Sequence, residues 1–361
     1  MQSYIRQLCV VFSASLLLST LLVAIDAIAI EPPEKAPDVA RIVFVSDRKG
    51  NKNKDIFAMD ADGQNVDRIT KHDKQDITPT WSTDGTQIVF SSTREQHFER
   101  IYVMDNDGKN IFVMTAGNRD LYPSWSPNEN WVAAVHAHGA DNWNFDVWMV
   151  RYLADKKGAL DGEPYPFANL GDGDGITSFR LTWDSAQDES PSWSPDGKQI
   201  AWTSNRTGNY DIWVMDTTGK THGANKKNLT KHPKDDKSPS WQPPFGLKLV
   251  FESDRDGDSE IYVMGRDGGN VKQLTANVFV WDGHPTWSPD GKQIAFSTNR
   301  DRNNEIYVMD ARGNNPTNLT NDKGFDAQPD WFDPRIAFPV TPKAKRAITW
   351  GEIKQSRLKQ N

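Results

Sequence analysis

The sequence predicts an all-β fold: a six-bladed β-propeller with four-stranded antiparallel blades, its ring closed by a C-terminal inner strand that completes the N-terminal blade. Three observations predict it. A Trp step recurs six times, as PTWSTDG (Trp81), PSWSPNE (Trp125), PSWSPDG (Trp193), PSWQPPF (Trp241), PTWSPDG (Trp287) and PDWFDPR (Trp331), at spacings of 44, 68, 48, 46 and 44. A period in the forties signals a repeat architecture. Each unit holds four short strand-like runs and no helical period of useful length. The two ends are complementary. The first unit starts at RIVFVSD (41–47) without an inner strand, and the last stops at FDAQPDWF (325–332), an inner strand with no outer strands after it.

From the N-terminus, Arg6 supplies positive charge, an apolar run extends from Leu8 to Ile25, and Ala27-Ile28-Ala29 offers a small-x-small cleavage pattern. Residues 1–29 therefore read as a signal peptide and 30–40 as a linker. The apolar run is long, so an uncleaved anchor is the alternative. No later stretch is apolar enough to span a membrane. The one cysteine, Cys9, lies inside the targeting segment, which excludes disulfides and thiolate chemistry from the rest and suits an oxidising compartment. The expected location is periplasmic or secreted. A formal net charge of −7 makes nucleic acid an unexpected partner.

The propeller is expected over 41–335. Within a unit, the SPSW run comes first, then an alternating KQIAWTS, an alternating YDIWVMD, and a weaker strand ending in Leu-Thr (226–230). Pro-Asp-Gly, Asn-Arg-Thr-Gly-Asn and Asp-x-x-Gly turns separate them. Such a sheet is apolar on both faces and cannot bury either alone. Stacked in a ring, each blade covers its neighbours, so the repeated Trp and the Val-Met of IYVMD are expected in the core.

The grammar PxWSPDGKxIAFxSxRxGxxEIYVMDxDG, repeated over about 40–335, resembles the WD40-like repeats of the TolB propeller family. The resemblance implies a binding module in the cell envelope that engages a protein or peptide. TolB-type proteins carry an α/β domain before the propeller, and here only about ten residues separate the targeting segment from the first strand. Related propellers precede peptidase domains, and no catalytic domain follows here.

Antiparallel blades send Pro-Asp-Gly and Asp-x-x-Gly turns to one face of the disc. The Ser-x-Arg loops and the starts of the inner strands go to the other, here called the aspartate face. An Asp precedes the inner-strand Pro by three residues in every unit: Asp76, Asp120, Asp188, Asp236, Asp282 and Asp326. They are expected either to accept backbone hydrogen bonds at a tight bend or to form a negative rim for a cation or basic peptide. Tyr122, Trp143 and Trp281, with Arg119 and His284 nearby, are the candidate recognition anchors of this face. Arg206 and Asp211, Arg255 and Glu260, Arg300 and Glu305, and more loosely Arg48 and Asp55, read as cross-strand ion pairs.

The third unit departs most. His136 and His138 stand at its Ser-x-Arg position, and Met149 to Thr182 spans 33 residues where four other units take 11, so an insertion is expected at about 153–180. It includes GDGDG (171–175) and is expected on the face opposite the aspartates. His136 and His138 share one side of a strand and are the candidate divalent-metal ligands. SDRDGDSE (253–260) has the alternating acids of a calcium loop without its twelve-residue frame, and is expected to be a plain hairpin. From 336 to 361 a basic tail is expected, disordered in solution or touching anionic lipid.

No nucleophile elbow, phosphate loop or zinc-protease motif is present. The leading reading is therefore a non-enzymatic propeller, without a cofactor, that binds a protein or peptide segment over its channel mouth. The alternatives are a metal-dependent lyase or hydrolase acting on a saccharide or lactone in the channel, and an envelope scaffold that binds through a blade rim.

Overall fold

The computed structural model describes residues 36–48, 53–95, 98–116, 119–138, 144–152, 178–218 and 222–336. The targeting segment, Trp143, most of the third-unit insertion and nearly all of the basic tail lie outside the described residues.

These residues form six four-stranded antiparallel sheets. Blade 1 contains β1 (Arg41–Ser46), β2 (Asp55–Asp60) and β3 (Asp67–Arg68). Blade 2 follows with β4 (Asp76–Trp81), β5 (Gln87–Ser92), β6 (Arg100–Asp105) and β7 (Phe112–Val113). Blade 3 has β8 (Asp120–Trp125), β9 (Trp131–His138), β10 (Asn144–Arg151) and β11 (Ser178–Arg180). Blade 4 has β12 (Asp188–Trp193), β13 (Gln199–Ser204), β14 (Asp211–Asp216) and β15 (Ala224–Asn228). Blade 5 has β16 (Asp236–Trp241), β17 (Lys248–Ser253), β18 (Glu260–Gly265) and β19 (Lys272–Gln273). Blade 6 has β20 (Asp282–Trp287), β21 (Gln293–Thr298), β22 (Glu305–Asp310) and β23 (Thr317–Asn318). The last strand, β24 (Asp326–Phe332), pairs antiparallel with β1 and supplies the inner strand of blade 1. The expected clasp between the two ends is thus present.

The core lies between blades. Six buried clusters form, one at each blade–blade interface. At the first, Val43, Ile56 and Ala58 of blade 1 meet Trp81, Ile88, Phe90 and Met104 of blade 2. At the last, Ala295, Ile306 and Val308 of blade 6 meet Ile42, Phe44, Met59 and Trp331 of blade 1. Alternation along each strand sends successive side chains to the two neighbouring interfaces, which is why both faces of a blade are apolar. The six repeated Trp residues are all at least nine-tenths buried, as the repeat reading requires.

Every inner strand carries the same irregularity. The residue before its Pro has positive φ: Thr78 (51°), Tyr122 (53°), Ser190 (49°), Ser238 (52°), His284 (48°) and Gln328 (58°). In all six blades the ladder slips there, as between Ile77 and Thr80 of β4. The inner strand has one partner only, so the missing N–H of Pro costs no ladder bond at this bulge. The bulge turns the strand along the axis and brings these six residues to one level around the channel.

Candidate functional site: the channel and its mouth on the aspartate face

Two cavities lie on the axis. One, of about 220 Å³, opens toward the face of the Pro-Asp-Gly turns and is lined by the six inner-strand Trp side chains. The other, of about 170 Å³, opens toward the aspartate face and is lined by Thr78, Tyr122, Ser190, Ser238, His284 and Gln328 with the Pro residues that follow them. The two share Thr80, Ser192, Ser240, Thr286 and Asp330. Five units place a hydroxyl at this level, at Thr80, Ser124, Ser192, Ser240 and Thr286, and the sixth places a carboxylate, Asp330. Its Oδ2 accepts the Trp81 N–H at 2.7 Å. Burial pushes the Asp330 carboxyl up to about 6, against the hydrogen bonds that favour its charged form.

The six repeated aspartates do not form an open rim. Asp76, Asp120, Asp188, Asp236, Asp282 and Asp326 are all 0% exposed. Five hold an Arg of the same blade at 2.7–3.0 Å: Arg94 on Asp76, Arg206 on Asp188, Arg255 on Asp236, Arg300 on Asp282 and Arg48 on Asp326. These guanidiniums also lie over paired aromatics, as Arg255 does over Phe251 and Tyr262 at 5.3 and 4.7 Å. The expected pairing of Arg206, Arg255 and Arg300 with the acid five residues on is therefore replaced by pairing across the inner strand. In five blades the Asp N–H also reaches back to the preceding blade, as Asp282 does to the Ser259 carbonyl at 2.8 Å. Each aspartate is a buried clasp within its blade, five of them against an Arg, and five also tie their blade to the preceding one.

His136 belongs to the same system. Register places it opposite Asp120, where the other blades have a Ser or Thr. Its Nδ1 lies 2.7 Å from Asp120 Oδ1. The preceding blade supplies Arg100 where the aligned position of the other blades is an acid, and that charge also favours ionised Asp120. His136 thus has a structural task, which weakens the metal reading of the His136 and His138 pair. His138 aligns by backbone with Asn144 and takes the register of the missing Arg.

The charged and aromatic departures from the repeat collect in one sector of the mouth, at blades 3 to 6. The residue after each repeated Asp is Ile77, Leu121, Glu189, Lys237, Gly283 and Ala327 in chain order. Lys237 pairs in register with Glu252, where other blades carry Ser91, Val135, Thr203, Ser297 and Val45. Glu252 Oε2 accepts the His284 N–H at 2.9 Å. A Cβ on Gly283 would fall 2.3 Å from that oxygen and from Trp281 Cζ2, so a larger residue would displace the Glu252 carboxylate and the Trp281 ring. The Lys237 ammonium bonds Asp235 at 2.9 Å and lies 4.7 Å above the Tyr210 ring. Burial pushes the Glu189 carboxyl up, and Lys237 and Tyr210 oppose that shift. Burial holds the His284 imidazole below its ordinary pKa, and its Nδ1 has no hydrogen-bond partner among the described residues.

Of the expected anchors, Tyr122 and His284 do line the channel mouth. Trp281 is half-buried, edge-on to His284 at 5.3 Å. Arg119 lies over the Phe145 ring at 5.8 Å. The prominent apolar side chains of this face are instead Phe279 (95% exposed), Val278 (75%) and Trp183 (60%). Sequence reading missed Glu189, Lys237, Glu252 and Asp330. The signal was available as charge at aligned positions that are small, hydroxylic or apolar in the other units.

The fold and this site define a closed six-bladed repeat propeller with an axial channel and a polar mouth built asymmetrically on a regular frame. The chain belongs to the TolB beta propeller domain (PD40) family, whose model matches residues 18–151 and 184–283. It is 28% identical over 183 residues to the TolB homolog of Chlorobium luteolum, covering 50% of this chain and 36% of that protein. The chain therefore matches about a third of that relative's length. The crystal structure of TolB from Acinetobacter baumannii is similar with a TM-score of 0.65 at 20% identity, over 81% of this chain and 66% of that one. Hydrazine synthase of Kuenenia stuttgartiensis is similar with a TM-score of 0.63 at 15% identity, over 83% and 47%. Likeness at these identities shows the fold, and two such different names show that the fold leaves activity open. No helix among the described residues is long and apolar enough to cross a membrane.

Proposed function

We propose that the chain is a periplasmic or secreted binding module that captures a protein or peptide segment at the channel mouth of the aspartate face. One observation carries the reading: charged and aromatic departures from a six-fold repeat gather at Tyr122, Glu189, Lys237, Glu252 and His284, in one sector. The TolB relationship supports a protein partner and an envelope location, as does the reading of residues 1–29 as a targeting segment. The carboxylates of Glu189 and Glu252 favour a ligand with a basic group, and the half-buried setting strengthens such a contact over one in open water.

Partner capture from envelope extracts tests it, comparing the wild type with the double variant Glu189→Gln, Glu252→Gln. A captured protein lost at least tenfold in a variant with unchanged melting supports the mouth as the binding site. Equal capture by both would move the interface to a blade rim, the scaffold reading. The repeated aspartates take no direct part in this proposal, because they are buried and paired.

A further inference from the structure

Blade 5 differs from blades 1 and 3 where strand 3 begins. The flanking blades 4 and 6 also lack an Arg there, having Asn228 and Asn318, but their acids accept a side-chain amide from Asn228 and Asn303. At the strand-4 position opposite the strand-3 aromatic, blades 1 and 3 carry Arg68 and Arg180. These reach the buried acid that opens strand 3, with Arg68 on Asp55 at 2.6 Å and Arg180 on Asp146 at 2.5 Å. Blade 5 keeps the acid, Glu260, at 0% exposure, but the aligned residue is Gln273. Its amide donates to Asp256 instead. Glu260 Oε2 is buried without a hydrogen-bond donor in normal geometry, and the carboxyl lies against Thr275 and the Asp282 carboxyl.

A second position changes in step. Two residues before the acid, blades 1, 4 and 6 have Asn53, Asn209 and Asn303, each donating its amide to loop carbonyls, as Asn209 does to His232 and Lys234 at 2.9 Å. Blade 5 has Asp258, a charged acceptor in place of a neutral donor. Asp256, Asp258 and Glu260 bring one oxygen each within 4.8 Å of one another. The nearby guanidiniums are committed elsewhere, Arg255 to Asp236 and Arg300 to Asp282.

We propose that Asp256, Asp258 and Glu260 form a site for a divalent cation of the calcium class, which fills in blade 5 the place that Arg68 and Arg180 fill in blades 1 and 3. An all-carboxylate set at alternate positions of a short loop suits a hard cation with flexible coordination and gives no preference to zinc or copper. The cation also has a mechanical consequence. Asp258 accepts the Phe279 N–H at 2.8 Å, and Glu260 accepts that of Asn277. Both donors belong to the loop that displays Val278 and Phe279 to solvent. Fixing the two carboxylates fixes that loop. The site stands on the blade 5 geometry and does not depend on the proposed binding role.

The test is calcium titration of the full chain after chelation, read by calorimetry, melting temperature and amide exchange. One calcium per chain is expected, with a Kd on the order of 10⁻⁴–10⁻³ M, the range of extracellular calcium modules. Melting temperature should rise with calcium by mass action. Amides of Asn277 and Phe279 should exchange several-fold more slowly when calcium is bound. Asp258→Asn restores the residue of blades 1, 4 and 6 and should abolish binding. Gln273→Arg supplies the missing guanidinium and should abolish the calcium response while the calcium-free protein melts no lower than wild type. Absence of calcium binding up to several millimolar in the folded wild type would overturn the proposal, as would binding undiminished in both variants.

Discussion

Arg94 and His136 perform one task with different chemistry. Arg94 contacts both oxygens of the buried Asp76 carboxylate at 2.9 Å, and its Nε donates to Ser92. Removing it as Arg94→Met strands a buried charge, which costs about 3–5 kcal/mol. The urea midpoint measures this, and a shift far below that size would mean Asp76 finds another cation. His136→Ala removes one buried contact from Asp120 while Arg100 and Thr115 remain. It should cost less, about 1–3 kcal/mol. Bound metal, measured by elemental analysis, should not change in that variant if His136 serves structure alone. With Glu129, Asp146, Glu260 and Asp326, Asp330 is one of several carboxyls raised by burial that carry a pH signature. Its carboxyl is raised to about 6 in the folded chain from an ordinary value of 3.8. The folded state therefore binds the proton more tightly, and the associated stability is present below pH 3.8 and lost as pH rises through 6. Asp330→Asn keeps an acceptor for the Trp81 N–H and should flatten the decline in stability between about pH 4 and 7. Urea midpoints across that range give the comparison, and an unchanged slope would assign the decline to other carboxyls.

At the scale of the strand, the inner bulge overrides ordinary strand preference. Ser238 holds φ at 52° while its N–H donates to Thr203 Oγ1 at 3.1 Å. Strand propensity alone ranks Gly as the worse residue and Val as the better. The left-handed backbone reverses this. Ser238→Gly should be neutral or stabilising by up to about 1 kcal/mol, and Ser238→Val should destabilise by about 1–2 kcal/mol. Thermal melting of the two variants separates the explanations, since the opposite order would mean that the strand relaxes out of the bulge. Gly283→Ala strikes the mouth itself, because the new methyl meets Glu252 and Trp281. It should weaken partner capture by more than it lowers stability. The alternating runs, Pro-Asp-Gly turns and Trp steps made all six blades legible in the sequence, because each is a local pattern with a fixed period. The bulge is carried by the Pro at a fixed distance after each Asp, but its left-handed residue was not read, since Thr78, Tyr122, Ser190, Ser238, His284 and Gln328 share no side-chain type.

For the whole molecule, closure makes the N-terminal strands depend on the last one. β1 has β24 as its inner partner, and Trp331 fills the interface between blades 6 and 1. Ending the chain after Phe325 should expose both flanks of the gap and abolish a single cooperative melt, whereas removing residues 337–361 should leave it intact. Calorimetry of the two truncations decides this, and a cooperative ring without β24 would show that five complete blades suffice.

The sequence by itself determined the repeat, the blade count, the closing strand and the buried Trp ladder. Those follow from periodicity and from the need of a two-faced apolar sheet to be covered on both sides. Only the tertiary structure decided the roles of the polar residues. The six aspartates look alike in sequence whether they line a rim or lie buried against arginine or histidine, and the difference rests on partners 16 or more residues away, or 278 away for Arg48 and Asp326. The same holds at the mouth. Glu189, Lys237, Glu252 and His284 are separated along the chain, and they meet in one sector because neighbouring inner strands carry three of them and β17 pairs Glu252 with Lys237.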